Sequence, residues 1–212
     1  MIVVPEELPA ARRYALLIGT IVPRPIAVVG TVSPDGRENL APFSFFNALS
    51  SDPMMLGFCP ANTEEGGEKD TLRNAKPTWE GGTGQFTISV ATDAIIRRVV
   101  ACAEPLPYGA SEFELAGLTS AQGVAVRAPR VVESPVSYEC ETFQVIRFGP
   151  GVASAGNLVI GRVLRIHLRD DLVNERMHVD PAKLDAVGRM GGFGYTRTRE
   201  RFDLRPDRSS LA

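Results

Sequence analysis

PRPIAVVGTVSPDGRENLAPFSFFNALSSDPMMLGFCP, residues 23–60, decides the fold. Ile26 to Ser33 is an almost continuously apolar β run. Pro34-Asp35-Gly36 supplies a turn, because proline presets φ and glycine accepts a positive one. Asn39 to Leu49 is the returning strand of that hairpin. Asp52-Pro53 marks a second turn, and Met54 to Cys59 is a short third strand. Within the returning strand, Ala41-Pro42-Phe43-Ser44-Phe45-Phe46-Asn47 mixes aromatic surface with a hydroxyl and a carboxamide. Pro42 also withholds a ladder hydrogen bond. Such a mixture suits a strand that faces a flat, polar-edged ligand better than a central core strand. Strict alternation places Phe43, Phe45 and Asn47 on one face and Ser44 and Phe46 on the other.

Upstream, Tyr14, Leu17, Ile18 and Ile21 follow helical spacing, and the helix must stop before Pro23. Downstream, residues 61–70 (ANTEEGGEKD) form a polar loop, and Thr71 to Lys76 fits one or two helical turns. Gln85 to Ala91 alternates as a strand, with Phe86, Ile88 and Val90 on one face. Asp93 is placed to cap a helix running through Ala103, and Ser111 to Ala116 fits a short helix. Ser137 to Phe148 and Leu158 to Leu168 read as a long hairpin joined by a glycine-rich turn. Many strands at short spacing with few, short helices predict a mainly β barrel with helical decoration. One domain over residues 1–204 and a flexible tail over 205–212 are expected.

Composition narrows the partners. The 212 residues carry a net charge of −2, so no basic excess exists to neutralise a nucleic acid backbone. The apolar stretch from Ala15 to Gly30 is broken by Pro23-Arg24-Pro25 and cannot cross a membrane as one helix. Cys59, Cys102 and Cys140 are scattered, which argues against a disulfide framework or a zinc site and points to a cytoplasmic setting. His167 and His178 have no partner at metal-ligand spacing, so no metal site is expected. His167 reads best as a structural histidine, and Trp79 as a loop anchor.

Three groups of residues carry candidate chemistry, each with a plainer alternative. The run Ser44-Phe45-Phe46-Asn47 is either a ligand-facing strand or a packed core strand ending at a turn. A flavin ring suits the first, since its pyrimidine edge alternates donors and acceptors that match a strand edge. Lys69-Asp70-Thr71 is either a phosphate cradle or an ordinary helix start with Lys69 solvated. Arg24, stiffened by a proline on each side, is either aimed at a phosphate or a surface residue at a helix-to-strand junction. No glycine-rich dinucleotide fingerprint follows a strand and opens a helix.

The run PRPIAVVGTVSPDGRENLAPFSFFNALSSDP, followed by KDTLRN, GGTGQFTISV, SEFELAGL and VGRMGGFGYTRTRERF, resembles the flavin reductase-like, FMN-binding split-barrel family, and most of all its flavoredoxin branch. The likeness covers about Tyr14 to Leu204. It implies a six-stranded antiparallel split β-barrel with short flanking helices, a homodimer, and FMN near the dimer interface. By the same resemblance, Ser44, Phe45, Phe46 and Asn47 lie along the isoalloxazine, Lys69, Asp70 and Thr71 help hold the phosphate, and Arg24 and Thr31 lie near the cofactor. Ser89 departs from the asparagine many relatives carry there. Phe193 and Tyr195 stand near the place where nicotinamide-using relatives often show a histidine or tyrosine.

The resemblance implies an NAD(P)H-dependent oxidoreductase. Hydride from NADH or NADPH would reach FMN, and electrons would leave to free flavin, a partner oxygenase or another acceptor. No acid–base dyad is then expected, because the cofactor carries the chemistry. Two alternatives remain: an FMN electron carrier or storage protein without a nicotinamide site, and an oxidase resembling pyridoxamine-phosphate oxidase.

Overall fold

A computed structural model describes residues 1–107, 109–207 and 210. The tail expected over 205–212 lies partly outside these residues.

After a 3-10 turn at Pro5–Glu7 comes helix α1 (Ala10–Thr20). The first strands are β1 (Ala27–Val32), β2 (Glu38–Phe43), β3 (Phe46–Ser51) and β4 (Met54–Phe58). Helix α2 (Asp70–Ala75), strand β5 (Gln85–Val90), and helices α3 (Ile96–Ala101) and α4 (Glu112–Ala116) follow. A small hairpin, β6 (Ser120–Gln122) and β7 (Pro129–Val131), precedes the long hairpin of β8 (Val136–Arg147) and β9 (Asn157–Leu168). Helix α5 (Pro181–Leu184) and the hairpin β10 (Val187–Arg189) and β11 (Tyr195–Arg197) complete the described chain.

The main sheet has seven antiparallel strands in the order β2-β1-β5-β8-β9-β4-β3. Six strands were expected. The difference lies in the returning strand of the first hairpin, which is two strands, β2 and β3, separated by Ser44 and Phe45. These two strands are the outermost in the sheet, yet only two residues link them. A link that short requires the sheet to curl until its edges meet, which makes a barrel with a seam. Phe45 stays at the seam by accepting a hydrogen bond from Cys59 N at 2.8 Å. Pro42 is tolerated because β2 is an edge strand.

The continuously apolar β1 is explained by cover on both faces. Ala27 and Val29 point into the barrel, among Leu56, Phe58, Phe86, Ile88 and Cys140. Val28 points outward, among Leu40, Ile95, Val99 and Phe113, where α3 and α4 cover the sheet. Phe58 and Phe86 meet edge to face at 5.2 Å in the interior. Helix α2 closes one barrel end with Leu72 and Ala75.

Several local expectations change. α3 begins at Ile96 without a side-chain cap; Asp93 instead pairs with Arg197 and Arg199. Trp79 anchors nothing, being 81% exposed. α1 stops before Pro23 as expected, but only Ile18 in it is buried, while Tyr14 and Leu17, and Ile21 just beyond the helix, face outward. Among the described residues, no helix is long and apolar enough to cross a membrane.

Candidate functional site

The seam is a half-buried part of the barrel wall lined by aromatic residues. Ala41 to Phe46 are all half-buried, and Asn47 is exposed. The strand break overturns the expected alternation of side chains. Phe43 and Phe46, expected on opposite faces, both pack against the interior cluster. Phe45 lies instead 6.4 Å from the Tyr14 ring, and the Arg24 guanidinium sits 5.9 Å from its centroid. Among the described residues β3 pairs only with β4, which leaves its second edge unpaired. Asn47 Oδ1 accepts from Ala48 N at 3.0 Å.

Arg24 stands behind the seam and is only 5% exposed. Its Nη1 donates to the carbonyls of Ile18 and Ile21, both at 2.7 Å. Nη2 donates to Met190 O at 3.0 Å, and Nε to Ser44 Oγ at 3.2 Å. Thus Arg24 ties the end of α1, the lead into β1, the seam and the C-terminal hairpin into one unit. Burial lowers its pKa and nearby Arg189 adds to that, while Tyr14 opposes both.

A second polar group lies where α2 closes the barrel. Thr31 of β1 and Asn39 of β2 are register partners, and Asn39 Nδ2 donates to Thr31 Oγ1 at 3.0 Å and to Thr71 Oγ1 at 3.1 Å. Asn74 Nδ2 donates to Thr31 Oγ1 at 3.2 Å. Thr71 and Asn74 reach this cluster together because they are three residues apart on one helix face. The other end of the Asn74 amide is buried with no partner among the described residues. Lys69 is exposed just outside; its carbonyl accepts from Arg73 N at 2.9 Å, its ammonium pairs with none of the described residues, and Asp70 pairs with Arg73 at 2.8 Å. Thr31 and Thr71 therefore meet, whereas Ser44 to Asn47 belong to the seam.

Asn39 and Asn74 were not foreseen. A polar residue opposite Thr31 in the hairpin, and another one turn after Thr71, were the available signals. Ser89 lies on the outer face, sharing a 2.9 Å contact with Ser137 Oγ and accepting from Val131 N.

The flavin reductase like domain matches residues 18–184. The chain belongs to the flavin reductase-like family. In this flavin reductase-like chain the matched segment contains all seven strands of the main sheet, the seam and α2. An uncharacterized protein of Deinococcus radiodurans is 39% identical over 204 residues, covering 93% of this chain and 86% of that protein. Nitrilotriacetate monooxygenase component B from Bacillus cereus superposes with a TM-score of 0.88 at 32% identity, covering 96% of this chain and 98% of its own. The 2-nitrobenzoate 2-nitroreductase of Pseudomonas fluorescens does so with a TM-score of 0.83 at 27% identity, covering 98% and 97%. Family membership makes this a flavin reductase-like oxidoreductase.

Proposed function

We propose that this chain binds FMN at the seam and works as a flavin reductase, with NADH or NADPH as electron donor. The observation that carries the reading is the seam itself: a half-buried aromatic wall joined to a strand with a free hydrogen-bonding edge. FMN needs a flat apolar surface, a polar edge and a place for a phosphate. Phe45 and Phe46 supply the first, and the β3 edge with Ser44 and Asn47 supplies the second. Lys69 and Thr71 supply the third, supported by the buried Thr31–Asn39–Thr71 network and by the unpaired end of Asn74. The residues present therefore fit the cofactor.

FMN, held by these residues, would supply two-electron redox chemistry between a nicotinamide donor and an acceptor. The protein's share is to bind, orient and exclude water. Ser44 is held by Arg24, so its hydroxyl is fixed at the seam rather than free to rotate. Phe43 and Phe46, rooted in the interior cluster, keep the wall rigid and dry. Arg24 acts through this positioning, since its donors are directed to protein oxygens.

The reading includes a homodimer, supported by the outward-facing Tyr14 and Leu17 of α1 and Ile21 just after it, of which Tyr14 touches Phe45 of the seam. It also includes transfer to free flavin or to a partner oxygenase, in line with the monooxygenase component among the similar structures. Anaerobic mixing of the FMN-loaded protein with NADH or NADPH tests it. Rapid bleaching of the yellow colour by either nucleotide is expected. No bleaching with both would favour an electron carrier, and turnover of an amine with oxygen would favour an oxidase.

A further inference from the structure

β8 and β9 carry a charged cluster on the face turned away from the barrel interior, and the flavin reading leaves it unused. Cys140 and Tyr138 pack with the interior, so Glu139 between them points to the opposite face. Glu139 is fully buried there. Its Oε1 accepts from Val124 N at 2.8 Å and meets Nε2 of His167. Its Oε2 accepts from Ala125 N at 2.6 Å and Val126 N at 3.0 Å. The His167 ring, oriented by that carboxylate, lines a cavity of about 250 Å³ near β7, the start of β8 and the end of β9. Arg130, Glu133, Ser134 and Arg169 line it too.

Arg130 is the unexplained member. Its Nε is buried without a partner, one of two such side-chain atoms among the described residues. No hydrogen bond or ion pair engages its guanidinium among those residues. Buried polar atoms are almost always paired, and an unpaired donor carries its full desolvation cost. Among the described residues, the acid lining the cavity and the acids paired with its lining residues are already engaged. Glu133 accepts from Thr119 N and Thr119 Oγ1 and faces Arg98. Asp171 is held by Arg169, and Glu139 has its four partners. Ser134 Oγ lies on the carbonyls of Val90 and Val136. The cavity is thus lined by Arg130 with its unpaired Nε, by the His167 imidazole and by Arg169, whose guanidinium already donates to Asp171 and to Lys183 O, while its one acidic lining residue, Glu133, is engaged elsewhere.

We propose that this cavity binds a small oxyanion, the phosphate or carboxylate group of a metabolite, seated on Arg130 beside His167 and Arg169. The planar guanidinium fork is suited to either group. The site shares no residue with the seam, so it stands whether or not the flavin reading holds.

The chain has only two histidines, which makes the test simple. Inorganic phosphate and, separately, acetate are titrated into the full chain at constant pH and ionic strength. The ring C–H signals of both histidines are followed by NMR. Saturable movement of the His167 signals, with those of His178 static, is expected with at least one probe; which probe acts identifies the group bound. Arg130→Leu should weaken the apparent affinity about tenfold or more, as loss of one charge-assisted contact implies. Should that variant lose its native circular dichroism, Arg130→Gln serves in its place. Static His167 signals with both probes, equal movement of both histidines, or an unchanged response in a folded Arg130 variant would overturn the proposal.

Discussion

Nε of Arg24 donates to Oγ of Ser44 across 3.2 Å, joining the lead into the first strand to the link between the two sheet edges. The same guanidinium holds three carbonyls, from Ile18, Ile21 and Met190. Removing it leaves four oxygens short of a donor in a nearly closed space. Arg24→Ala should therefore lower stability by about 3 kcal/mol or more, since each buried acceptor left without a donor costs about 1–3 kcal/mol. Urea unfolding measures this. Arg24→Lys should recover only part, because an ammonium cannot reproduce the fork. A change below 1 kcal/mol in the alanine variant would show that Arg24 does not hold the seam.

Lys69 and Thr71 separate affinity from stability. Lys69 is exposed, so Lys69→Ala should weaken FMN binding by about 1.5–3 kcal/mol and leave the melting temperature unchanged. Thr71 is buried against Asn39, so Thr71→Val should weaken binding and also destabilise the apoprotein by about 1 kcal/mol. Calorimetric titration beside thermal melting distinguishes the two. Equal FMN dissociation constants in both variants and the parent would remove the phosphate assignment.

Glu139 makes stability depend on acid. Burial opposes its ionised form, but His167 and three backbone N–H groups outweigh that and hold the carboxyl below the usual range. A folded-state pKa below the unfolded one stabilises above the unfolded value, about 4.3 for glutamate. That contribution disappears as pH falls from there through the folded value. Glu139→Gln should be less stable at pH 7 and should lose part of the acid slope between pH 5 and 3. Parallel stability curves for parent and variant would show that Glu139 is not the group responsible.

Gly30 tests the outer layer. A Cβ at this position would lie 2.0 Å from Pro129 O and 2.7 Å from Thr87 Oγ1, so β7 could not keep its place over β1. Gly30→Ala should cost about 1–3 kcal/mol or more through overpacking, read as a lowered denaturation midpoint. An unaltered midpoint would mean that β7 does not press on β1.

Much of this was legible in the sequence, and the misses have physical causes. β1, the first hairpin turn and the long β8–β9 hairpin are set by local signals: apolar runs, proline with glycine, and alternation. The break at Ser44 and Phe45 was hidden because β-favouring aromatic residues flank it and no glycine marks it. Asp93 looked like a helix cap, but its partners Arg197 and Arg199 are more than a hundred residues away. The Thr31–Thr71 proximity came only through family resemblance. Asn39 and Asn74 escaped notice because nothing local shows that α2 folds back onto β1 and β2.

The central claim is that the seam holds FMN, and fluorescence titration tests it most directly. Adding the purified apoprotein to a fixed FMN concentration should quench flavin emission to a plateau at one FMN per chain, as aromatic walls and fixed donors close around the ring. Emission that stays unquenched at every protein concentration would contradict the account.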